Sequence, residues 1–171
     1  MTRLLVITLL LGASPAVSSC YDAVPVEASR PAPPADLLDL GRPLRLLECS
    51  PLPAATATQT IGPAGGALQV GPHWLTIPPG ALSGPVTITA TAPTGTVNSI
   101  QFQPEGLTFA QPASLAMSYA NCRLPGPPAS RRIVFTDEAL TILEALVSVD
   151  SRSSRTVVTR LRHFSHYAVA Y

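Results

Sequence analysis

The sequence predicts an all-β protein: a single antiparallel β-sandwich behind a signal segment and a Pro-rich stalk. Three observations carry this. From Ile61 onward, short runs alternate apolar and polar residues, the period-two signature of half-buried strands. Pro–Gly, Gly–Pro and Ser-rich breaks separate those runs at roughly the eight-to-twelve-residue spacing of sandwich folds. The body also lacks a clear amphipathic helix. Asp137–Leu146 admits one, but Thr141, Ile142, Val147 and Val149 suit strands equally well. The spacing predicts about eight to ten strands around one core. A length of 171 residues and a mass of 17.8 kDa leave room for one domain of ordinary size.

The chain opens with Arg3, an apolar run over Leu4–Leu11, and small or helix-breaking residues from Gly12 to Ala16. This is the basic, apolar, small-residue order of a secretory signal. The run is far shorter than the ~20 residues a spanning helix needs. It ends Val17–Ser18–Ser19–Cys20, which resembles the lipobox of bacterial lipoproteins. The resemblance implies a signal peptide over 1–19, with Cys20 lipidated as the mature N-terminus. Two or three acyl chains hold a protein at a bilayer where one holds it only marginally. Ordinary cleavage after Ser18, with Ala16 and Ser18 as the small residues, is the competing reading. Tyr21 after Cys20, by resemblance to enterobacterial sorting, favours the outer membrane.

Residues 20–57 form the stalk, with Pro25, Pro31, Pro33, Pro34, Pro43, Pro51 and Pro53 favouring extended backbone. Ala35–Gly41 allows one short helical turn. Leu44–Leu47, just before Cys49, marks where the stalk becomes ordered. Residues 58–171 are then the sandwich. Gly65–Gly66 suits a turn into a first strand through Val70. The next strand ends at Pro78–Pro79, which donate no ladder hydrogen bonds. Val86–Thr91, Ile100–Gln103, Leu115–Tyr119 and Arg155–Leu161 alternate as strands, and Asp150–Ser154 is a hairpin loop. A terminal strand from Phe164 places Phe164, His166, Ala168 and Ala170 on one face. Ser165, Tyr167, Val169 and Tyr171 then share the other.

Of three Cys, lipidation of Cys20 leaves Cys49 and Cys122 as an even pair, expected to form a disulfide in an oxidising compartment. Two buried or free thiols are the alternative. Two Cys with no nearby His do not make a zinc site.

The run Gly65–Gly66–Ala67–Leu68–Gln69–Val70, followed by Leu75–Thr76–Ile77–Pro78–Pro79–Gly80–Ala81–Leu82, resembles the opening of the ZU-five domain. That β-sandwich occurs in zonula occludens proteins, netrin receptors and ankyrins. Pro104–Ala113 resembles the family's next element, and His163–Phe164–Ser165–His166–Tyr167 its closing His–Phe–Ser strand. The likeness covers about residues 60–171. It implies a β-sandwich and raises one reaction, because some members cut themselves between Phe and Ser. Here Ser165 would attack the Phe164 carbonyl while His163 assists proton transfer. The cut would release only residues 165–171, with no downstream domain to free.

Other chemistry is poorly supplied. The eleven basic residues are all Arg, which excludes a Walker-type phosphate loop and any lysine nucleophile or base. Net charge is +1 with the Arg residues scattered, which argues against nucleic acid. No Gly–x–Ser–x–Gly elbow occurs. His163 and His166 have the odd spacing that separates strand faces, so they do not chelate one ion. His73, beside Trp74, is expected at the surface, and Asp137–Glu138 in a solvated turn. No cofactor or metal is implied. The sequence therefore points to a non-catalytic, membrane-tethered module, structural or protein-binding, whose partner is an envelope protein or polymer. Self-processing at His163–Ser165 and a carbohydrate-binding role resting on Trp74 are the rivals.

Overall fold

The computed structural model describes residues 43–124, 126 and 130–171. The signal segment, Cys20 and the helical turn expected over 35–41 lie outside the described residues. Among the described residues no helix is long and apolar enough to cross a membrane.

Eleven strands follow one another: β1 (Ala55–Ile61), β2 (Gly66–Val70), β3 (His73–Ile77), β4 (Val86–Ala92), β5 (Ser99–Gln103), β6 (Thr108–Ser118), β7 (Arg132–Thr136), β8 (Ile142–Ala145), β9 (Ser148–Ser151), β10 (Thr156–His163) and β11 (His166–Ala170). They form two antiparallel sheets, one in the order β1-β4-β5-β11-β7-β8 and one in the order β2-β3-β6-β10-β9. This is the β-sandwich the alternation predicts, with eleven strands among the described residues rather than about eight to ten. Asp137–Leu146 resolves in favour of a strand: a turn followed by β8.

The core lies between the sheets, and period-two alternation fills it. In β4, Ile88 and Ala90 are fully buried while Thr87, Thr89 and Thr91 face outward. In β3 the inward set is His73, Leu75 and Ile77, and in β6 it is Ala113, Leu115 and Met117. Each fully buried aliphatic side chain contributes roughly 1.5–3 kcal/mol of transfer free energy. On the outer face of β1 and β4, threonine hydroxyls pair across the strands, Thr58 with Thr89 at 2.9 Å and Thr60 with Thr87 at 3.0 Å. Such cross-strand pairs hold the register of an otherwise small-residue edge strand.

Residues 44–49, at the end of the sequence-defined stalk, pair with the body. Arg45 N–H donates to the Tyr171 carbonyl at 3.1 Å, and Leu47 N–H to that of Val169 at 2.9 Å. Leu44 and Leu46 pack with Val97 and Ile142 on Val134, Ala168 and Ala170, covering part of the outer face of the six-stranded sheet. Three residues after Leu46, Cys49 is bonded to Cys122, with their Cα atoms 3.7 Å apart.

Gly65 closes the turn into β2 with φ +76°, and a Cβ there would stand 2.5 Å from the Ile77 carbonyl oxygen. Gly65→Ala is therefore expected to cost about 1–3 kcal/mol from the left-handed backbone alone, plus the clash. Thermal denaturation reads this directly; a melting point unchanged by the substitution would contradict it.

Candidate functional site

The His163–Phe164–Ser165 segment is not the start of a terminal strand. His163 ends β10 in the five-stranded sheet, and β11 begins at His166 in the six-stranded one. Phe164 and Ser165 are the crossing between the sheets, so strict alternation breaks there, and both side chains are buried. From His166 the alternation resumes. Tyr167 and Val169 enter the core between the sheets, while Ala168 and Ala170 pack with Val134 beneath Leu44 and Leu46.

Backbone hydrogen bonds fix this corner. Phe164 N–H donates to the Leu107 carbonyl at 2.8 Å, and the Phe164 carbonyl accepts from Gly106 N–H at 3.0 Å. Phe102 N–H donates to the Ser165 carbonyl at 3.2 Å. The Tyr167 hydroxyl donates to the His163 carbonyl at 2.6 Å, tying the two ends of the crossing together. Burial pushes the Tyr167 phenol well above its usual range, reinforced by the charge of Glu144.

The corner is also the aromatic centre of the molecule. The Phe164 ring stacks on Phe102 at 4.7 Å and meets Phe109 edge-on at 4.9 Å. Phe135 stands edge-on to the His163 ring at 5.5 Å, and Tyr167 is tilted against both Phe102 and Phe135. All four Phe of the chain thus converge here. For self-cleavage the geometry is mixed. His163 Nδ1 lies 3.4 Å from the Phe164 carbonyl oxygen. The Ser165 hydroxyl has no hydrogen-bond partner among the described residues, so no base contacts the nucleophile. Among the described residues, positive φ at non-glycine positions is confined to Leu140 and Arg155, away from this peptide bond.

His73 is buried, not at the surface, with only 3% of it exposed. Its parity with Leu75 and Ile77 points it into the core, and Trp74 takes the outward position. The Ser118 backbone N–H donates to His73 Nδ1 at 3.2 Å, so the imidazole serves as an acceptor. Burial lowers its pKa from 6.5 to about 4. Between those values the unfolded chain binds a proton that the folded chain refuses. Stability is complete above the upper value and falls as pH drops toward the lower. The loss is expected to reach roughly 3 kcal/mol. Urea denaturation across that window should show this slope, and His73→Gln should flatten it; an unchanged slope in the variant would contradict the assignment.

A second buried polar group joins Tyr119, just after β6, and Arg131, just before β7, to Asp150 in β9. The Tyr119 hydroxyl donates to Asp150, whose other oxygen accepts from Arg131 N–H at 3.1 Å and lies 3.7 Å from the Arg131 guanidinium. Burial and then the Asp150 bond push the Tyr119 phenol up to about 12. This arrangement turns the one acidic residue of the five-stranded sheet inward.

On the opposite side of the sandwich, an open cleft of about 260 Å³ lies between the 137–141 turn and the outer face of β5 and β11. Gln101, Glu138, Leu140 and His166 line it, and His166 Nδ1 is 4.0 Å from Glu105. Asp137 caps the turn by accepting from Thr141 N–H at 2.7 Å. That bond comes first among the causes holding the Asp137 carboxyl below its usual range. His163 and His166 are on different sheets, and the described residues contain no cluster of three metal-ligating side chains.

A row of exposed and half-buried side chains, mostly apolar, crosses the outer face of the five-stranded sheet. Strand register places Val149, Val158, Ala116, Trp74 and Gln69 in one row, each opposite the next. Val149 is 72% exposed and Trp74 47%. At about 4.8 Å between strands, the row from Val149 to Trp74 is about 14 Å long. Ser151, Thr156 and Ser118 form the row on one side, and Arg160, Ser114 and Thr76 the row on the other. Arg162, also exposed, follows Arg160 where the register with β6 shifts between Leu161 and His163. The sequence pointed to Trp74 alone. Alternation over Arg155–Leu161 puts Val158 and Arg160 on one face, but their alignment with Trp74 depends on pairing between strands far apart in sequence.

The chain matches no protein-family profile, and no curated protein matches it in sequence.

Proposed function

We propose that this protein is a non-catalytic lipoprotein of the cell envelope. Its β-sandwich is a binding module, tethered by a lipid on Cys20 through the Pro-rich stalk, and a bacterial relative of the ZU-five domain. The outer membrane is the favoured anchor. The observation that carries the binding role is the exposed row from Val149 to Trp74. Single apolar residues are ordinary on a surface, whereas contiguous exposed ones are a feature of contact faces. The Cys49–Cys122 bond suits an oxidising compartment, in keeping with export.

Fractionation of expressing cells tests the tether. The chain should sediment with membranes and enter the detergent phase, and Cys20→Ser should release it to the soluble fraction. A Cys20→Ser chain that stays in the detergent phase would refute lipid anchoring at this residue.

A self-processing role is the second reading, favoured by His163 Nδ1 at 3.4 Å from the Phe164 carbonyl oxygen. It predicts a chain ending at Phe164 that Ser165→Ala abolishes. The binding-module reading predicts the same intact length for both proteins.

A further inference from the structure

We propose that the outer face of the five-stranded sheet binds a carboxylate-bearing polysaccharide. The polymer lies across the strands, with a sugar ring stacked on Trp74 and its acid groups on Arg160 and Arg162. The inference rests on the binding-module reading and names the partner and the face.

Shape is the first argument. The apolar row runs perpendicular to the strands, with Ser151, Thr156 and Ser118 along one side and Arg160, Ser114 and Thr76 along the other. A pyranose polymer has the matching form: ring faces of C–H bonds, edges of hydroxyl groups and a linear outline. A partner strand would pair at a sheet edge, whereas this strip crosses the middle of the face. A folded protein partner of standard size would cover about 800 Å² per side, much wider than this strip.

Charge is the second argument. Arg160 and Arg162 are exposed, and neither has an ion-pair partner among the described residues. The five strands contain a single acidic residue, Asp150, and its side chain is turned inward to Tyr119 and Arg131. Among the described residues, the strands of this sheet therefore present cations and no acid on their outer face. The guanidinium fork matches a carboxylate in two parallel hydrogen bonds, which selects an acidic sugar over a neutral one. From strand spacing and rise, the Trp74 and Arg160 backbones are about 12 Å apart, within the span of a short oligosaccharide. Trp74 supplies the flat aromatic surface for stacking, and Gln69, Thr76 and Ser114 supply polar groups beside it.

Trp74 is the only Trp in the sequence, so its fluorescence reports on this face alone. The exported chain carrying Cys20→Ser, to keep lipid out of the measurement, is titrated with polygalacturonate and with its fully methyl-esterified form. It is also run in affinity gels containing polygalacturonate, alginate or hyaluronate. Polygalacturonate should shift Trp74 emission, shield it from acrylamide and retard the chain. Trp74→Ala should weaken retardation at least tenfold, as should the pair Arg160→Gln and Arg162→Gln. Arg45→Gln, on the other sheet, should leave it unchanged.

Four results would overturn the proposal. The first is no retardation by any of the three acidic polymers. The second is equal binding of the methyl ester, which would make the ligand a neutral glycan. The third is an Arg45→Gln loss as large as that of the Arg160 and Arg162 pair, which would mean unspecific charge attraction. The fourth is a Trp74 already shielded from acrylamide in the free chain, which would mean that another part of the chain covers the face. Membrane fractionation decides the tether separately, so a missing glycan would not be confused with a missing anchor.

Discussion

Replacing Cys49 and Cys122 together by Ala is expected to lower stability by about 4 kcal/mol. The two residues are 73 apart in sequence, and a loop of that size releases this much chain entropy when opened, in the loop-closure treatment of disulfides. The native site is preorganised, because Cys49 and Cys122 already face each other as an isolated antiparallel bridge. Around them, Cys49 N–H donates to the Thr96 carbonyl at 2.8 Å and Arg123 N–H to the Glu48 carbonyl at 2.8 Å. The melting point should fall by roughly 10–15 °C, and reduction of the wild-type chain should reproduce the fall. A drop below about 3 °C would mean that the bond adds little to chain restraint already present in the unfolded state.

Phe164→Ala is expected to cost roughly 3–5 kcal/mol, the range for truncating a buried aromatic. Phe164 is fully buried and touches Phe102 and Phe109 in two different ring geometries. Its backbone is held on both sides by Leu107 and Gly106, so the corner has little freedom to collapse into the space left behind. Equilibrium urea denaturation measures the loss. A cost under about 1 kcal/mol would place the ring in a loose site and remove the claim that this motif is a core device.

What the sequence made legible follows from the range of each interaction. β4 was readable because Ile88 and Ala90 alternate with three threonines within one short run. The turn at Gly65 was readable because glycine is the residue that tolerates its backbone angle. β1 was harder: Ala55 and Ala57 are too small to signal an inward face, and the strand depends on hydroxyl pairing with β4. The Phe164–Ser165 crossing was hidden because both residues suit a strand. What turns the chain there is hydrogen bonding to residues 102–107, far away in sequence. His73 departs from its expected surface position for a different reason. Its polar ring suggested solvent, although parity with Leu75 already pointed inward, and its acceptor role depends on a backbone N–H from β6. The candidate binding face was legible only as fragments. Trp74 stood out as the lone Trp, while the row that gives it neighbours exists only once β3, β6, β10 and β9 are in register.

The most direct test of an anchored, stapled and uncut module is the intact mass of the mature protein. It should be extracted from membranes without reductant or heating and denatured immediately before the spectrum. The account predicts a chain that starts at Cys20 carrying acyl groups, is lighter by two hydrogens than its reduced form, and runs unbroken to Tyr171. A chain ending at Phe164, with a separate peptide from Ser165 to Tyr171, would contradict it and identify a protein that cuts itself.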